Sequence, residues 1–255
     1  MTSSPARLPV AVVAHRGASG DHPENTVRAM RAAFEAPLPA DGFECDVRLT
    51  RDGVPVVFHD DDTRRLCAVD GTIEARSLAE VRQLRVGGEP VPTLAELLDA
   101  CAPYLTGLRR AVVNIELKPT QAPEPLIEAC TPLLAPLSRD PHIELVLSSF
   151  DPRVVRAALV AAQPWRTAFL YETVGALRFL TLLGSDGPVD LHPPESLVTA
   201  EHLAAFGDPE RDRRFRVWTV DDPARARALA SLGVDAIITN HPARLRAALG
   251  TPHHG

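Results

Sequence analysis

Lysine is almost absent from this 255-residue chain: of its 27 basic residues only Lys118 is a lysine. Either chance or a position that wants a compact ammonium rather than a guanidinium explains a lone lysine among arginines. Positive charge is short overall, with 33 Asp and Glu giving a net charge of −6. A protein that neutralises many phosphates is usually basic, so wholesale nucleic-acid binding is excluded, although one local cluster suffices for a small anion. The four cysteines, Cys45, Cys67, Cys101 and Cys130, form no C-x-x-C pair. This argues against a zinc ribbon or a thioredoxin-type centre and fits free thiols in a reducing compartment. No apolar run approaches the roughly 18 residues of a membrane-spanning helix. The start, Met1–Pro9, is polar, and Val10–Ala14 is too short for a secretory h-region. A cytoplasmic protein without stable membrane insertion is expected. Repeats, low-complexity tracts and linkers are also missing.

What is present is ordinary globular composition, 45% hydrophobic and 24% charged. A chain of this length buries about three quarters of its unfolded surface and needs no disulfide or metal staple. Short β-branched runs recur at Val10–Ala14, Gly42–Leu49, Val54–Phe58, Ala111–Leu117, Ile143–Ser148, Thr167–Tyr171, Val189–His192, Phe215–Val220 and Asp235–Thr239. Amphipathic or Ala-rich stretches separate them, among them Glu24–Glu35, Leu94–Cys101 and Val174–Leu183. Ser77 and Thr93 stand three before Glu80 and Glu96, the capping-box spacing, and Pro152, Pro223 and Pro242 suit a first helical turn. With Val54–Phe58 counted as an extension of the second strand, eight βα units remain. The expected fold is an α/β single-domain TIM (β/α)8 barrel over residues 1–255, with residues 60–92 inserted after the second strand. An open doubly wound sheet lacks support, because no G-x-G-x-x-G follows the first strand.

Strand C-termini are where barrel enzymes carry reactive groups. His15 and Arg16 follow the first strand, and His59 and Asp60 follow Val54–Phe58. Glu44 and Asp46 alternate on the second strand, so both share one face and Cys45 takes the other. The barrel interior and the helix layer are both expected to be apolar, which sends the two carboxylates to the open end, around a cation. Asn114, Glu116 and Lys118 likewise share a face, making Glu116 a third ligand candidate and Lys118 a partner for an anionic oxygen. The bland alternative is a buried Glu–Lys pair. Three carboxylates suit a hard cation, Mg²⁺ or Ca²⁺. Arg16, Lys118 and a dication together suit a phosphate, and two imidazoles suit acid–base chemistry. Trp218 follows Arg216 on one strand face and either stacks on substrate or packs. Ser148 and Ser149 either meet phosphate or cap the next helix. His192, at a strand end, is a weaker substrate contact. His22, His142 and His202 read as surface.

The motifs H-R-G-A-S-G-D-H-P-E-N-T (15–26), E-C-D-V-R-L-T-R-D-G-V-P-V-V-F-H-D (44–60), P-T-L-A-E-L-L (92–98), N-I-E-L-K (114–118), S-S-F (148–150), V-W-T-V (217–220) and G-V-D-A-I-I-T-N-H-P (233–242) together resemble the glycerophosphodiester phosphodiesterase family. The resemblance implies a TIM barrel with a small insertion. It implies His15 and His59 as the acid–base pair, and Glu44, Asp46 and Glu116 as ligands of one divalent cation. It also implies Arg16 and Lys118 on the phosphate, and Trp218 at the mouth. The implied reaction splits a small-molecule phosphodiester into glycerol 3-phosphate and an alcohol. A lysophospholipase D or sphingomyelinase-D-like lipid enzyme, or a non-catalytic phosphate-binding barrel, are the alternatives. Charged residues in the loops around 60–74 and 208–214 favour a soluble substrate. The chain departs from the family pattern after His59, and at Asp221 and Asn240, where the family usually has Asn and Asp. These departures are expected to leave the metal and acid–base residues untouched and to bear on head-group specificity.

Overall fold

The computed structural model describes residues 9–106, 108, 110–161, 163–183 and 189–250. The first eight residues and Thr251–Gly255 lie outside them. Eleven strands occur among these residues: β1 (Ala11–His15), β2 (Gly42–Leu49), β3 (Pro55–Val57), β4 (Arg85–Val86), β5 (Glu89–Pro90), β6 (Ala111–Leu117), β7 (Ile143–Ser149), β8 (Arg166–Leu170), β9 (Val189–His192), β10 (Arg216–Val217) and β11 (Ala236–Thr239). Eight of them form a parallel array in the order β10-β11-β1-β2-β6-β7-β8-β9. Isolated parallel bridges, Leu191–Phe215 and Pro194–Trp218, join its two ends, so the sheet is a nearly closed eight-stranded barrel. The Val54–Phe58 run returns antiparallel on β2 as β3 and is not a barrel strand.

The helices are α1 (Val27–Glu35), α2 (Arg64–Cys67), α3 (Leu78–Val81), α4 (Leu94–Leu105), α5 (Pro123–Ser138), α6 (Pro152–Val160), α7 (Leu180–Leu183), α8 (Ala200–Phe206), α9 (Pro223–Leu232) and α10 (Pro242–Leu249). Both capping boxes form, at Ser77 and Thr93. Prolines open α6, α9 and α10, where the first N–H groups have no intrahelical partner anyway. The stretch expected as one helix over Val174–Leu183 divides into a 3-10 segment, Val174–Phe179, and the short α7. Thr173 supplies no side-chain cap, and Gly175 in the first turn is a poor helix former. Between β3 and α4, residues 58–93 carry α2, α3 and the β4–β5 hairpin, which pack a small cluster of their own around Val56, Phe58, Ile73 and Val91.

Period-2 alternation decides what faces the barrel axis. Phe43, Cys45 and Val47 of β2 and Val113, Ile115 and Leu117 of β6 pack outward under the helices. Gly42, Glu44, Asp46 and Arg48, with Val112, Asn114 and Glu116, take the opposite side. Ala11, Val13, Val112, Ala236 and Ile238 fill part of the interior. The expectation of an apolar interior fails toward the N-terminal rim. There Arg216 is fully buried, donating to Asp190 at 2.6 Å and to Glu144, while Arg166 holds Asp190 through two 2.7 Å contacts. Buried ions are tolerated here because each carboxylate meets more than one guanidinium.

Candidate active site

At the C-terminal end of the strands the chain leaves a cavity of about 160 Å³. His15, Arg16, Glu44, His59, Asn114 and Glu116 line it, together with Phe150, Leu170, Glu172, Trp218, Thr219 and Ile238. Asp46 and Lys118 lie buried beside Glu116. The eight residues singled out from sequence therefore come together, although they span positions 15 to 218.

Local backbone explains how β1 delivers its two. The chain turns at Arg16, in the left-handed region at φ 55°, and at Gly17, φ 84°. Such a conformation costs a non-glycine residue about 1 kcal/mol, so it is held by contacts. The Arg16 N–H donates to both the carbonyl and Oε2 of Glu44, each at 3.0 Å. Gly17 has no alternative, because a Cβ there would sit 2.5 Å from the backbone carbon of Ala29 in α1. The Arg16 guanidinium then reaches Asp46 at 3.2 Å and Glu24 at 2.8 Å.

Parallel register places Glu44 beside Asn114 and Asp46 beside Glu116. Glu44, Asp46 and Glu116 each offer an oxygen within 4.8 Å of the others, all buried. Lys118 Nζ lies 2.6 Å from Glu116 and 3.2 Å from Asp46. Asn25, also left-handed at φ 58°, donates to Asp46 Oδ2 at 2.7 Å. Burial pushes Glu44 well above the carboxylate range, and the neighbouring Asp46 and Glu116 push it further. Glu116 is raised to about 7 by burial and by Asp46, against Lys118. Asp46 goes the other way: burial opposes its charge, yet Lys118 and Arg16 outweigh burial and hold it low. Glu44 Oε1 and Asn114 Oδ1 are buried without a hydrogen-bond partner. Carboxyls held up in pKa by one another, with orphaned acceptor oxygens, are a donor set that fits a hard divalent cation.

The two histidines are held differently. His15 Nδ1 contacts Asn240 Oδ1 at 2.7 Å. Asn240 Nδ2 donates to Asp221 Oδ2 at 2.7 Å, so the amide can only present its oxygen to His15, which fixes the proton on Nδ1. Burial, then Arg16, pulls His15 down to about 4. His59 Nδ1 instead faces a carboxylate, Asp60 Oδ1, at 2.7 Å, and burial lowers its pKa. The departures at positions 221 and 240 thus do reach His15, contrary to expectation. Trp218 packs edge-on against Phe150, centroids 5.4 Å apart, and its indole donates to the His192 carbonyl. Ser149 donates to the Leu117 carbonyl and Asp151, not a serine, caps α6. His192 is fully buried and off the cavity wall. His142 is exposed and His22 half-buried, but His202 is buried against Tyr171 Oη at 2.7 Å, because α8 turns that face inward. Asn25, Phe150, Glu172 and Asn240 were not read as site residues. Of these Asn25, inside P-E-N-T, Phe150, inside S-S-F, and Asn240, inside G-V-D-A-I-I-T-N-H-P, stood in a motif, and Glu172 did not.

The family model for the glycerophosphoryl diester phosphodiesterase family matches residues 15–244. A glycerophosphodiester phosphodiesterase from Caldanaerobacter subterraneus subsp. tengcongensis is 32% identical over 244 residues, covering 92% of this chain and 95% of its own. Among solved structures, a phosphodiesterase of Oleispira antarctica, in complex with the product sn-glycerol-3-phosphate, superposes with a TM-score of 0.81 at 27% identity, over 95% of this chain and 98% of its own. The glycerophosphodiester phosphodiesterase of Thermotoga maritima gives 0.74 at 27%, over 94% and 98%. With a nearly closed barrel, a cavity at its catalytic end and a family match across nine-tenths of its length, the chain belongs to the glycerophosphoryl diester phosphodiesterase family, whose members are phosphoric diester hydrolases.

Proposed function

We propose that this chain hydrolyses glycerophosphodiesters to glycerol 3-phosphate and an alcohol, acting as a single barrel domain with residues 60–92 as its insertion. The observation that carries the reading is the convergence of His15, His59, Arg16, Glu44 and Glu116 on one 160 Å³ cavity, with Asp46 grouped beside the two glutamates. The product complex of the Oleispira relative supports a small-molecule substrate of this class.

Glu44, Asp46 and Glu116 would hold one Mg²⁺ or Ca²⁺, which would supply charge stabilisation to a phosphoryl oxygen when bound. Arg16 orients the phosphate and contributes charge where it develops. Lys118, between Asp46 and Glu116, offsets one of their negative charges. His15, with its proton fixed on Nδ1 by Asn240, offers an unprotonated Nε2 and acts as the base. His59, backed by the Asp60 carboxylate, is the acid that protonates the leaving alcohol. Trp218 and Phe150 form the wall against which the organic part of the substrate lies.

Charge supports a water-soluble diester over a lipid: exposed large hydrophobics among the described residues are Val69, Val160 and Val174, too scattered for a lipid face. No helix among the described residues is long and apolar enough to cross a membrane. Four free cysteines support a reducing compartment, the cytoplasm. The test is release of glycerol 3-phosphate from glycerophosphocholine, with EDTA, with Mg²⁺ or Ca²⁺ restored, and with His59→Ala. Metal-restored turnover that falls by roughly 10²–10⁴ in the variant is the expected result. Equal turnover in EDTA, or in His59→Ala, defeats the assignment.

A further inference from the structure

We infer that Arg65, in the insertion, is a positioning residue that sets His59 and Arg16 relative to one another by joining Asp60 to Glu24. The inference rests on the reading of His59 and Arg16 given above. Arg65 grips two carboxylates at once. Its Nε and Nη2 donate to Asp60 Oδ2 and Oδ1 at 2.6 and 2.7 Å. Its Nη1 and Nη2 donate to Glu24 Oε2 and Oε1 at 3.0 and 2.9 Å. Each carboxylate has a second partner inside the site. Asp60 Oδ1 meets His59 Nδ1 at 2.7 Å, and Glu24 Oε1 accepts from Arg16 Nη1 at 2.8 Å.

The result is an unbroken chain, His59–Asp60–Arg65–Glu24–Arg16, whose last member also contacts Asp46. The sequence distance matters. Glu24 lies in the turn before α1 and Arg65 stands 41 residues later on α2, so the bridge ties the loop after β1 to the insertion. Glu24, His59 and Asp60 offer three ligand atoms within 4.8 Å, which resembles a metal set. Arg65 and Arg16 together already neutralise both acids there, which makes the cluster an ion-pair bridge. The geometry needs a guanidinium. Two paired N–H forks aimed at two carboxylates are a planar, fixed pattern that a single ammonium cannot reproduce. Asp60 and Glu24 are only 16% and 17% exposed, so the forks act where water screens them least, although Arg65 itself is half exposed. Lost, they leave His59 and Arg16 each with a partner free to swing, and misplacement of about 1 Å at a reacting centre costs about 10² in rate.

The experiment measures kcat and KM on glycerophosphocholine with saturating Mg²⁺ for wild type, Arg65→Ala, Arg65→Lys, Asp60→Asn and the double variant Arg65→Ala/Asp60→Asn. Melting temperatures are taken alongside. Positioning through Asp60 predicts a 10- to 100-fold fall in kcat for Arg65→Ala, incomplete recovery in Arg65→Lys, and a double variant no slower than Asp60→Asn alone. Wild-type kcat in Arg65→Ala overturns the inference. So do losses that multiply in the double variant, which would mean that Arg65 merely pins the insertion. Because Arg65 is half exposed, its variants are expected to fold. If the wild type turned over no glycerophosphodiester, the reading of the site would fall and this inference with it. Wild-type turnover with an indifferent Arg65→Ala sinks the inference alone.

Discussion

Glu116→Gln should make the metal-free protein more stable and the metal-loaded protein less so. In the folded chain Glu116 titrates near 7, against 4.5 for an ordinary glutamate, because it is buried beside Asp46. The folded state therefore binds the extra proton between those values. Stability from this group is full below about 4.5 and is lost as pH rises toward 7. At pH 8 its ionisation costs the metal-free fold about 3 kcal/mol relative to the unfolded chain. Glutamine has no charge to bury, and its Oε1 can still accept from Lys118, which sits 2.6 Å from Glu116 Oε1. In EDTA at pH 8 the variant should melt higher, by up to roughly 6–12 °C at about 2–4 °C per kcal/mol for a chain of this size. At pH 5 most of that advantage should vanish. Saturation with Mg²⁺ or Ca²⁺ at about a hundred times its Kd should then stabilise the wild type by about 2.7 kcal/mol and the variant much less, so the order of the two narrows or reverses. Differential scanning calorimetry at both pH values, with and without metal, reads all four terms. A variant that melts below wild type in EDTA at pH 8, or a metal that raises both equally, refutes the idea that these carboxylates are a cation site held open at a cost to the fold.

Exchanging Asp221→Asn and Asn240→Asp together should keep the hydrogen bond to His15 while moving the negative charge next to it. His15 then keeps its proton to higher pH, and the acidic limb of kcat/KM should move up; an unmoved limb would show that His15 is not the base. Gly17→Ala combines a left-handed φ of 84° with a Cβ 2.5 Å from Ala29 backbone. It should destabilise by about 1–3 kcal/mol in urea unfolding and lower kcat by displacing Arg16, and wild-type stability would mean that the turn relaxes at no cost. Trp218→Ala removes half of the Phe150–Trp218 wall. KM should rise by roughly tenfold with kcat within a few-fold, and a collapse of kcat alone would assign Trp218 to the reacting centre.

Strand geometry explains why so much of this site could be read from one sequence. Glu44 and Asp46, like Asn114, Glu116 and Lys118, are forced to one face by a period of two, and parallel register then brings the two faces side by side. His15 needed only the rule that barrel strands end at the active site, whereas His59 reaches it because β3 runs back antiparallel along the end of β2. The apolar-interior rule, used to send the carboxylates to the open end, is wrong for this barrel, where Asp190, Glu144 and Arg216 sit inside. The placement survived because the strand register, not the polarity of the interior, decides it. His202 failed for a related reason: a lone histidine on a short helix carries no period strong enough to say which way it faces.

What sequence could not show is contact between loops. Arg65 and Glu24 are 41 positions apart, and His15 and Asn240 are 225 apart, with nothing periodic to join them. Yet the pair at 221 and 240 left a trace. The resemblance implies Asn at the first position and Asp at the second, where this chain has Asp221 and Asn240. Taken singly, each is a loop change with no evident bearing on chemistry. Taken together, they exchange an amide and a carboxylate, which is what two residues sharing one hydrogen bond can do while keeping it. Asn240 Nδ2 donates to Asp221 Oδ2, and Asn240 N and Thr239 Oγ1 both donate to Asp221 Oδ1. The carboxylate at 221 is thus satisfied three times and the amide at 240 is left with its oxygen for His15. The contact orients the His15 imidazole, so an amide at 240 with the carboxylate at 221 sets which charge His15 feels without altering which atom it touches.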